Sequence, residues 1–220
     1  MRRPFLLAAL PILALCASAR AGDVVGTVRF TGTPAPPATF ETNKDRGVCG
    51  AQVEDESLLV SGGRVANVVV VVKGAPAPPP VTVTLDQQRC RYRPHVLVAP
   101  VGSTLSIQNG DDLLHSVHGW EGRMTRFDVV TPSRGDRIPT RLAKPGLIQV
   151  RCDVHSWMAA YVVVADAPAL VTGPDGSFAF RGVPPGTYTL TAWHERLGER
   201  KAQITVPAQG SVSVDLAYGG

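Results

Sequence analysis

Short apolar runs broken by glycine and proline constrain this chain more than any other feature. It carries 22 Gly and 19 Pro in 220 residues, and no stretch after residue 21 keeps a 3.6-residue apolar period. In place of helices come the runs Val24–Phe30, Val68–Val72, Val96–Val98, Thr104–Ile107, Leu147–Val150, Tyr161–Val164, Ser177–Phe180 and Thr187–Leu190. Each is rich in β-branched or aromatic residues and is followed by turn residues, which is the signature of strands. The spacing predicts an all-β protein built of sandwiches or barrels. A mature length of about 200 residues allows one or two such units.

The N-terminus fixes the compartment. Arg2 and Arg3 precede the apolar stretch Phe5–Leu15, and Ala19-Arg-Ala21 follows it. This is the pattern of a cleavable secretory signal peptide over residues 1–21, so a periplasmic or secreted location is expected. The stretch is too short and wrongly flanked for a membrane helix, so no span is expected in the mature chain. Cys16 leaves a lipoprotein signal open, although Leu15 is bulky where such signals carry a small residue. Cleavage takes away Arg2, Arg3 and Arg20 and leaves 19 basic against 18 acidic residues. That near-neutral balance speaks against nucleic-acid binding.

Three cysteines, Cys49, Cys90 and Cys152, remain after cleavage. An odd number in an oxidising compartment is resolved most simply by a Cys49–Cys90 disulfide and a free Cys152 reserved as a metal thiolate. Other pairings stay open. A bridge closing a loop of this size stabilises by about 2–4 kcal/mol.

Two proline-rich connectors divide the chain. Ala75-Pro-Ala-Pro-Pro-Pro80 reads as a stiff extended linker, and Asp166-Ala-Pro168 closes the middle region. Residues 81–166 are then one unit and 167–220 another. The latter contains Thr172-Gly-Pro-Asp-Gly-Ser-Phe178 and Val183-Pro-Pro-Gly-Thr-Tyr-Thr-Leu190, whose Pro-Asp-Gly and Pro-Pro-Gly supply tight turns. These motifs resemble the carboxypeptidase regulatory-like (transthyretin-like) β-sandwich. Four strands are too few for two facing sheets, and Val25-Gly-Thr-Val28 with Asn67–Val72 resembles the family's opening strands. The expectation is a discontinuous sandwich, in which residues 22–80 pair with the C-terminal segment around an insert. Two contiguous domains are the rival organisation.

The chemistry is concentrated in Cys152-Asp-Val-His155-Ser-Trp-Met158. A thiolate, an imidazole and a thioether within seven residues favour copper, and a trigonal His₂Cys set with a weak axial Met is a blue-copper site. Taken singly, Cys152 reads as a small buried hydrophobe, Met158 as core filler and His115 as a loop histidine. The conjunction of soft donors in an exported β-protein with an unpaired cysteine changes that reading. Gly102-Ser-Thr-Leu-Ser-Ile-Gln-Asn109 followed by His115 completes a pattern. Residues 81–166 resemble a cupredoxin, nearest in ligand spacing to the amicyanins and more broadly to plastocyanins. The fold implied is a Greek-key β-sandwich.

The resemblance implies one type 1 copper ion held by His115, Cys152 and His155 with Met158 axial. It gives Asn109 the task of tying the two ligand loops together and tuning the thiolate. Electrons are then expected to leave through His155, inside an apolar collar of Leu113, Leu114 and Trp157. Arg89, Arg91 and Arg93 alternate with Cys90 and Tyr92, so on a strand they would share one face. That face is either simply solvated or a docking patch for an acidic redox protein, such as a cytochrome c or a periplasmic dehydrogenase.

His118 is read as a second histidine near the mouth of the site, and His95 and His194 as structural. No second cysteine in the ligand loop permits a binuclear centre, and no His-x-His pairs suggest a multicopper oxidase. No Gly-x-Ser-x-Gly elbow, phosphate loop or His-Glu-x-x-His helix points to an enzyme. The combination resembles secreted proteins of the methylamine-utilisation type. A copper-delivery protein and a structural module with a stabilising metal are the other readings of the same residues.

Overall fold

The computed structural model describes residues 21–36 and 38–219. The signal-peptide expectation, apart from Ala21, and that for Cys16 lie outside the described residues. The first third of the chain holds β1 (Gly22–Phe30), β2 (Thr39–Glu41), the one-turn helix α1 (Arg46–Cys49), β3 (Gln52–Glu54), β4 (Val60–Ser61), β5 (Arg64–Val65) and β6 (Val69–Lys73). The middle holds β7 (Thr82–Gln87), β8 (Tyr92–Arg93), β9 (Val96–Pro100), β10 (Thr104–Asn109) and β11 (His115–Glu121). It continues with β12 (Met124–Thr131), β13 (Arg137–Arg141), β14 (Gly146–Arg151) and β15 (Ala159–Ala165). The last part holds β16 (Ala169–Val171), β17 (Ser177–Val183), β18 (Gly186–His194), β19 (Gly198–Val206), β20 (Ser211–Ser213) and β21 (Leu216–Tyr218).

These strands form two sandwiches. In the first, β1 pairs antiparallel with β17 and β5 and parallel with β20 and β21, so the opening strand is clasped by the closing ones. The facing sheet runs β16-β6-β18-β19. The second sandwich, wholly within residues 82–165, faces β13-β10-β7-β8 against β12-β11-β14-β15-β9. Its β7–β10 and β9–β15 pairs are parallel, which requires crossover connections between the sheets.

β6 and β15 present apolar side chains on both faces, and with them the sandwiches join. Successive side chains of a strand point to opposite faces. In β6, Val70 and Val72 enter the core of the first sandwich with Val24, Phe178 and Leu190, while Val69 and Val71 point outward to a separate cluster. In β15, Ala160, Val162 and Val164 enter the second core, while Tyr161 and Val163 meet Val69 and Val71 from the other side. This is why Val68–Val72 is an unbroken apolar run rather than an alternating one. Each valine removed from water contributes on the order of 1.5–3 kcal/mol. A polar latch accompanies the apolar contact: His95, before β9, is hydrogen-bonded through Nε2 to Glu195, after β18.

Residues 39–56 depart from the expectation that the whole of 22–80 serves the first sandwich. β2 and β3 pair only with each other, and α1 between them is tied to the second sandwich by the Cys49–Cys90 disulfide. Arg91 is paired with Glu54 at 3.0 Å and Arg93 with Glu56. The segment is a flap laid over the ligand end of the second sandwich, where it buries Cys49 and Val53 and leaves Phe40 and Val48 exposed.

Candidate metal centre

Three of the predicted donors converge. The antiparallel β14–β15 pair ends at Arg151 opposite Ala159, and the loop between them carries Cys152, His155 and Met158. Met158 N–H donates to the His155 carbonyl at 2.9 Å, closing that loop into a turn. His115 opens β11, beside β14 in the same sheet. The donor atoms of His115, Cys152 and His155 lie within 4.8 Å of one another and all three residues are buried. Nδ1 of His115 is 3.0 Å from Nδ1 of His155, and Cys152 Sγ is 3.8 Å from the latter. Met158 is buried in the core that holds Cys152.

The outer edges of both imidazoles decide what the inner edges can do. His115 Nε2 is 3.0 Å from an Asp111 carboxylate oxygen, and His155 Nε2 is 3.0 Å from one of Asp45. A carboxylate accepts, so each Nε2–H donates outward and the two Nδ1 atoms face each other. Two ring nitrogens 3.0 Å apart beside a sulfur share either a proton or a metal. Histidine that donates its far N–H to a carboxylate is the usual arrangement around a bound metal. The donor set therefore fits a thiophilic ion.

The electrostatics agree. Burial pushes the Cys152 thiol up, but hydrogen bonds from His115 and from the backbone of Ser116, His155 and Val154 outweigh it and bring it from 9.0 down to about 6. Burial disfavours a charged His115, yet bonds to Asp111 and Cys152 raise it from 6.5 to about 9. Burial also raises the Asp111 carboxyl, against which its bonds from His115, Cys90 and Arg89 prevail and lower it. Both shifts favour a thiolate beside an imidazolium when no metal is bound.

Asp111 also builds the neighbouring turn. Arg89 and Cys90 both have positive φ, 50° and 54°, and Gln88 and Arg91 exchange backbone hydrogen bonds across them. Non-glycine residues rarely occupy such a two-residue turn. Here Asp111 accepts both backbone N–H groups, from Arg89 at 2.6 Å and Cys90 at 2.8 Å, and the disulfide pins the second residue.

Several expectations need correction. Asn109 does not bridge the two ligand loops: it donates to the Leu113 and Thr131 carbonyls and accepts from Asp111 N–H. It shapes the loop before His115, while Ser116 N–H reaches Cys152 Sγ at 3.4 Å. His155 is not an exposed exit, being 0% accessible beneath Asp45 and the flap. The collar is thereby broken up: Leu114 is 46% exposed, Leu113 packs on the core, and the Trp157 indole N–H is spent on the Cys90 carbonyl at 3.1 Å.

The arginines do not share a strand face. Arg89 lies in the turn, and Arg91 and Arg93 are engaged by the flap's glutamates. They do line one cleft of about 600 Å³ with Arg134 and Arg137, and Asp111 also lines it. His118 stacks on Trp120 at 3.8 Å and is bonded to Thr125, clear of the donor set. His194 is buried, and burial lowers it to about 4, so it stays neutral.

Sequence reasoning missed Asp45, Asp111, Ser116 and Tyr92, whose hydroxyl donates to the Ser116 carbonyl at 2.6 Å. Asp111 stands four residues before His115 and was legible as a candidate partner. Asp45 lies 110 residues from His155, and only the Cys49–Cys90 pairing hinted that this stretch reaches the site.

A family model for the carboxypeptidase regulatory-like domain matches residues 158–218, a stretch that opens on β15, which here belongs to the second sandwich. No curated protein sequence matches the chain. Among solved structures, a reduced Cu(I) form of an amicyanin variant is 18% identical over 44% of this chain and 98% of that one, with a TM-score of 0.35. A Cu-containing nitrite reductase from Thermus scotoductus SA-01 is 20% identical over 63% of this chain and 28% of its own, with a TM-score of 0.35. A purple cupredoxin from Nitrosopumilus maritimus is 21% identical over 39% and 99%, with a TM-score of 0.33. Residues 158–218 thus resemble a carboxypeptidase regulatory-like domain, and strands β7 to β15 form a separate β-sandwich that holds the donor set.

Proposed function

We propose that this is an exported type 1 copper protein that carries single electrons between redox partners and has no catalytic activity of its own. The observation that carries the reading is the convergence of His115 Nδ1 and His155 Nδ1 beside the buried Cys152 sulfur. A copper ion held by His115, Cys152 and His155, with Met158 as the weak fourth ligand, supplies a one-electron couple. The residues around it do the rest. Asp111 and Asp45 hold the imidazoles in one tautomer and orientation, Ser116 N–H supports the thiolate, and the two-sheet frame keeps water and other ligands out.

The burial of His155 moves the proposed electron path. His115 Nε2 is bonded to Asp111, and Asp111 floors the cleft that carries Arg89, Arg91, Arg93, Arg134 and Arg137. Its acids are already engaged: Asp86 by Gln88, Asp111 by His115 and Asp136 by Ser133. Arg91 and Arg93 are engaged by Glu54 and Glu56, so Arg89, Arg134 and Arg137 are the cations this cleft offers to an acidic redox protein, steered by charge. Electrons then leave through His115 and Asp111. With such a partner, transfer slows as ionic strength rises.

Visible absorption and EPR spectra of the mature chain after one equivalent of Cu(II) test the reading. An intense thiolate-to-copper band with a small hyperfine splitting is expected, lost in Cys152→Ser. Met158→Leu should keep the copper and shift the reduction potential. A colourless tetragonal Cu(II) spectrum would overturn the assignment. A labile ion that a chelator removes quickly, with no reversible potential, would make the chain a delivery protein instead.

A further inference from the structure

The Cys49–Cys90 disulfide is part of the ligand cluster. A ring nitrogen of His155 lies within 4.8 Å of the sulfurs of both Cys49 and Cys90. Cys90 Sγ, an Asp111 carboxylate oxygen and a ring nitrogen of His115 form another set within the same distance. Each imidazole is thus shared by an inner group containing Cys152 and an outer group containing Cys90. Every one of these residues is buried. Imidazole has two nitrogens, so the His155 ring can serve both groups once its Nε2 gives up the proton it holds toward Asp45.

The outer group is also placed to be reached. Residues 43–48 of the flap are all exposed, and α1 within it is a single turn. A cleft of about 350 Å³ between the flap and the sandwich is lined by Cys90 together with Trp157 and Met158. Local opening of one helical turn is enough to expose the bridge, whereas Cys152 stays in the core behind it.

We propose that reduction of Cys49–Cys90 creates a second soft-metal site, in which the two thiolates and His155 take Cu(I) directly outward of the first. Two sulfurs and one imidazole are a donor set for Cu(I). An external dithiol supplies the two electrons and two protons: its S–H bonds are exchanged for a disulfide, and Cys49 and Cys90 become thiols. Coordination changes no oxidation state, and as Cu(I) binds the two thiol protons and the His155 Nε2 proton, until then held toward Asp45, leave to solvent. The outer site is a thiol-dependent port through which metal reaches the shared imidazole. The inference rests on the proposed function only for the identity of the metal.

The experiment is an anaerobic Cu(I) titration of the mature chain against bicinchoninate, with near-UV circular dichroism as a check of fold. The chain is titrated with its disulfide intact and again after dithiothreitol treatment and gel filtration. Reduction should add one equivalent of tightly held Cu(I) to wild type and equally to Cys152→Ser. It should add none to the Cys49→Ser/Cys90→Ser double variant. No gain in wild type, or a gain that survives in the double variant, overturns the proposal. So does a gain for Zn(II) without Cu(I), or a reduced chain that loses its near-UV signal and does not regain it with Cu(I). If the intact chain binds no copper while reduction still adds one equivalent, the electron-carrier reading fails and this inference stands.

Discussion

Asp111 accepts three hydrogen bonds, from His115 Nε2 and from the backbone N–H groups of Arg89 and Cys90. It therefore orients a metal ligand and holds the positive-φ turn that carries the disulfide. Asp111→Ala removes both functions and should weaken copper binding by about 10–100-fold, read by chelator competition. Asp111→Asn keeps one acceptor and should fall between. The pH response of the metal-free chain follows from the pair behind it. The Cys152 thiol, whose burial penalty is overcome by its hydrogen bonds, has a folded value near 6 against an ordinary 9.0, so its contribution is full above 9 and is lost as pH falls through 6. His115, held up by Asp111 and Cys152 against its own burial penalty, lies near 9 against 6.5, so its contribution is full below 6.5 and is lost as pH rises through 9. The metal-free protein should be most heat-stable between these limits, with a flatter profile in Cys152→Ser. The donor residues were legible because their spacing is local. Asp45 and Tyr92 were not, because only tertiary packing brings them to the sulfur and the imidazoles.

At the level of elements, legibility followed burial. The valine runs of β6 and β15 declare themselves because they present apolar side chains on both faces. β13 and β19 lie at sheet edges and read as polar: β13 contains Pro139, which an edge strand tolerates, and β19 opens Gly-Glu-Arg-Lys. β11 was hidden by His118 and Gly119 in its middle. Gly119 has a packing reason, since a Cβ there would lie 2.5 Å from the Phe127 ring and 2.9 Å from Ile148 Cγ2. It also stands where the register with β12 shifts. Gly119→Ala should cost about 1–3 kcal/mol through overpacking. The check is a lower midpoint in urea unfolding with an unchanged slope, since no surface is newly exposed. The flap was misjudged for the opposite reason: β2 and β3 are exposed and short, and nothing local in them says which sandwich they cover.

For the molecule as a whole, the junction between the sandwiches determines whether it unfolds as one body. Val69 and Val71 meet Tyr161 and Val163 across it, Trp193 packs on Tyr161 with ring centroids 5.2 Å apart, and the buried His95–Glu195 pair closes its edge. The chain crosses this junction twice, once into the insert after β6 and once out of it before β16. Covalent continuity and apolar contact act together, so wild type should show a single calorimetric transition. Val71→Asp places an unpaired carboxylate in the seam, at a cost of about 3 kcal/mol or more. Glu195→Ala leaves His95 Nε2 without its hydrogen-bond partner, a loss of about 1–3 kcal/mol for a buried polar group left unpaired. Neither change touches a donor of the metal centre. Either should therefore split the transition in two while the copper spectrum stays as it is, with the copper-bound sandwich melting second because binding stabilises only that unit. A single transition that merely moves to lower temperature would mean that the junction is not what limits cooperativity, and that the two cores melt together through the clasp of β1 by β17, β20 and β21.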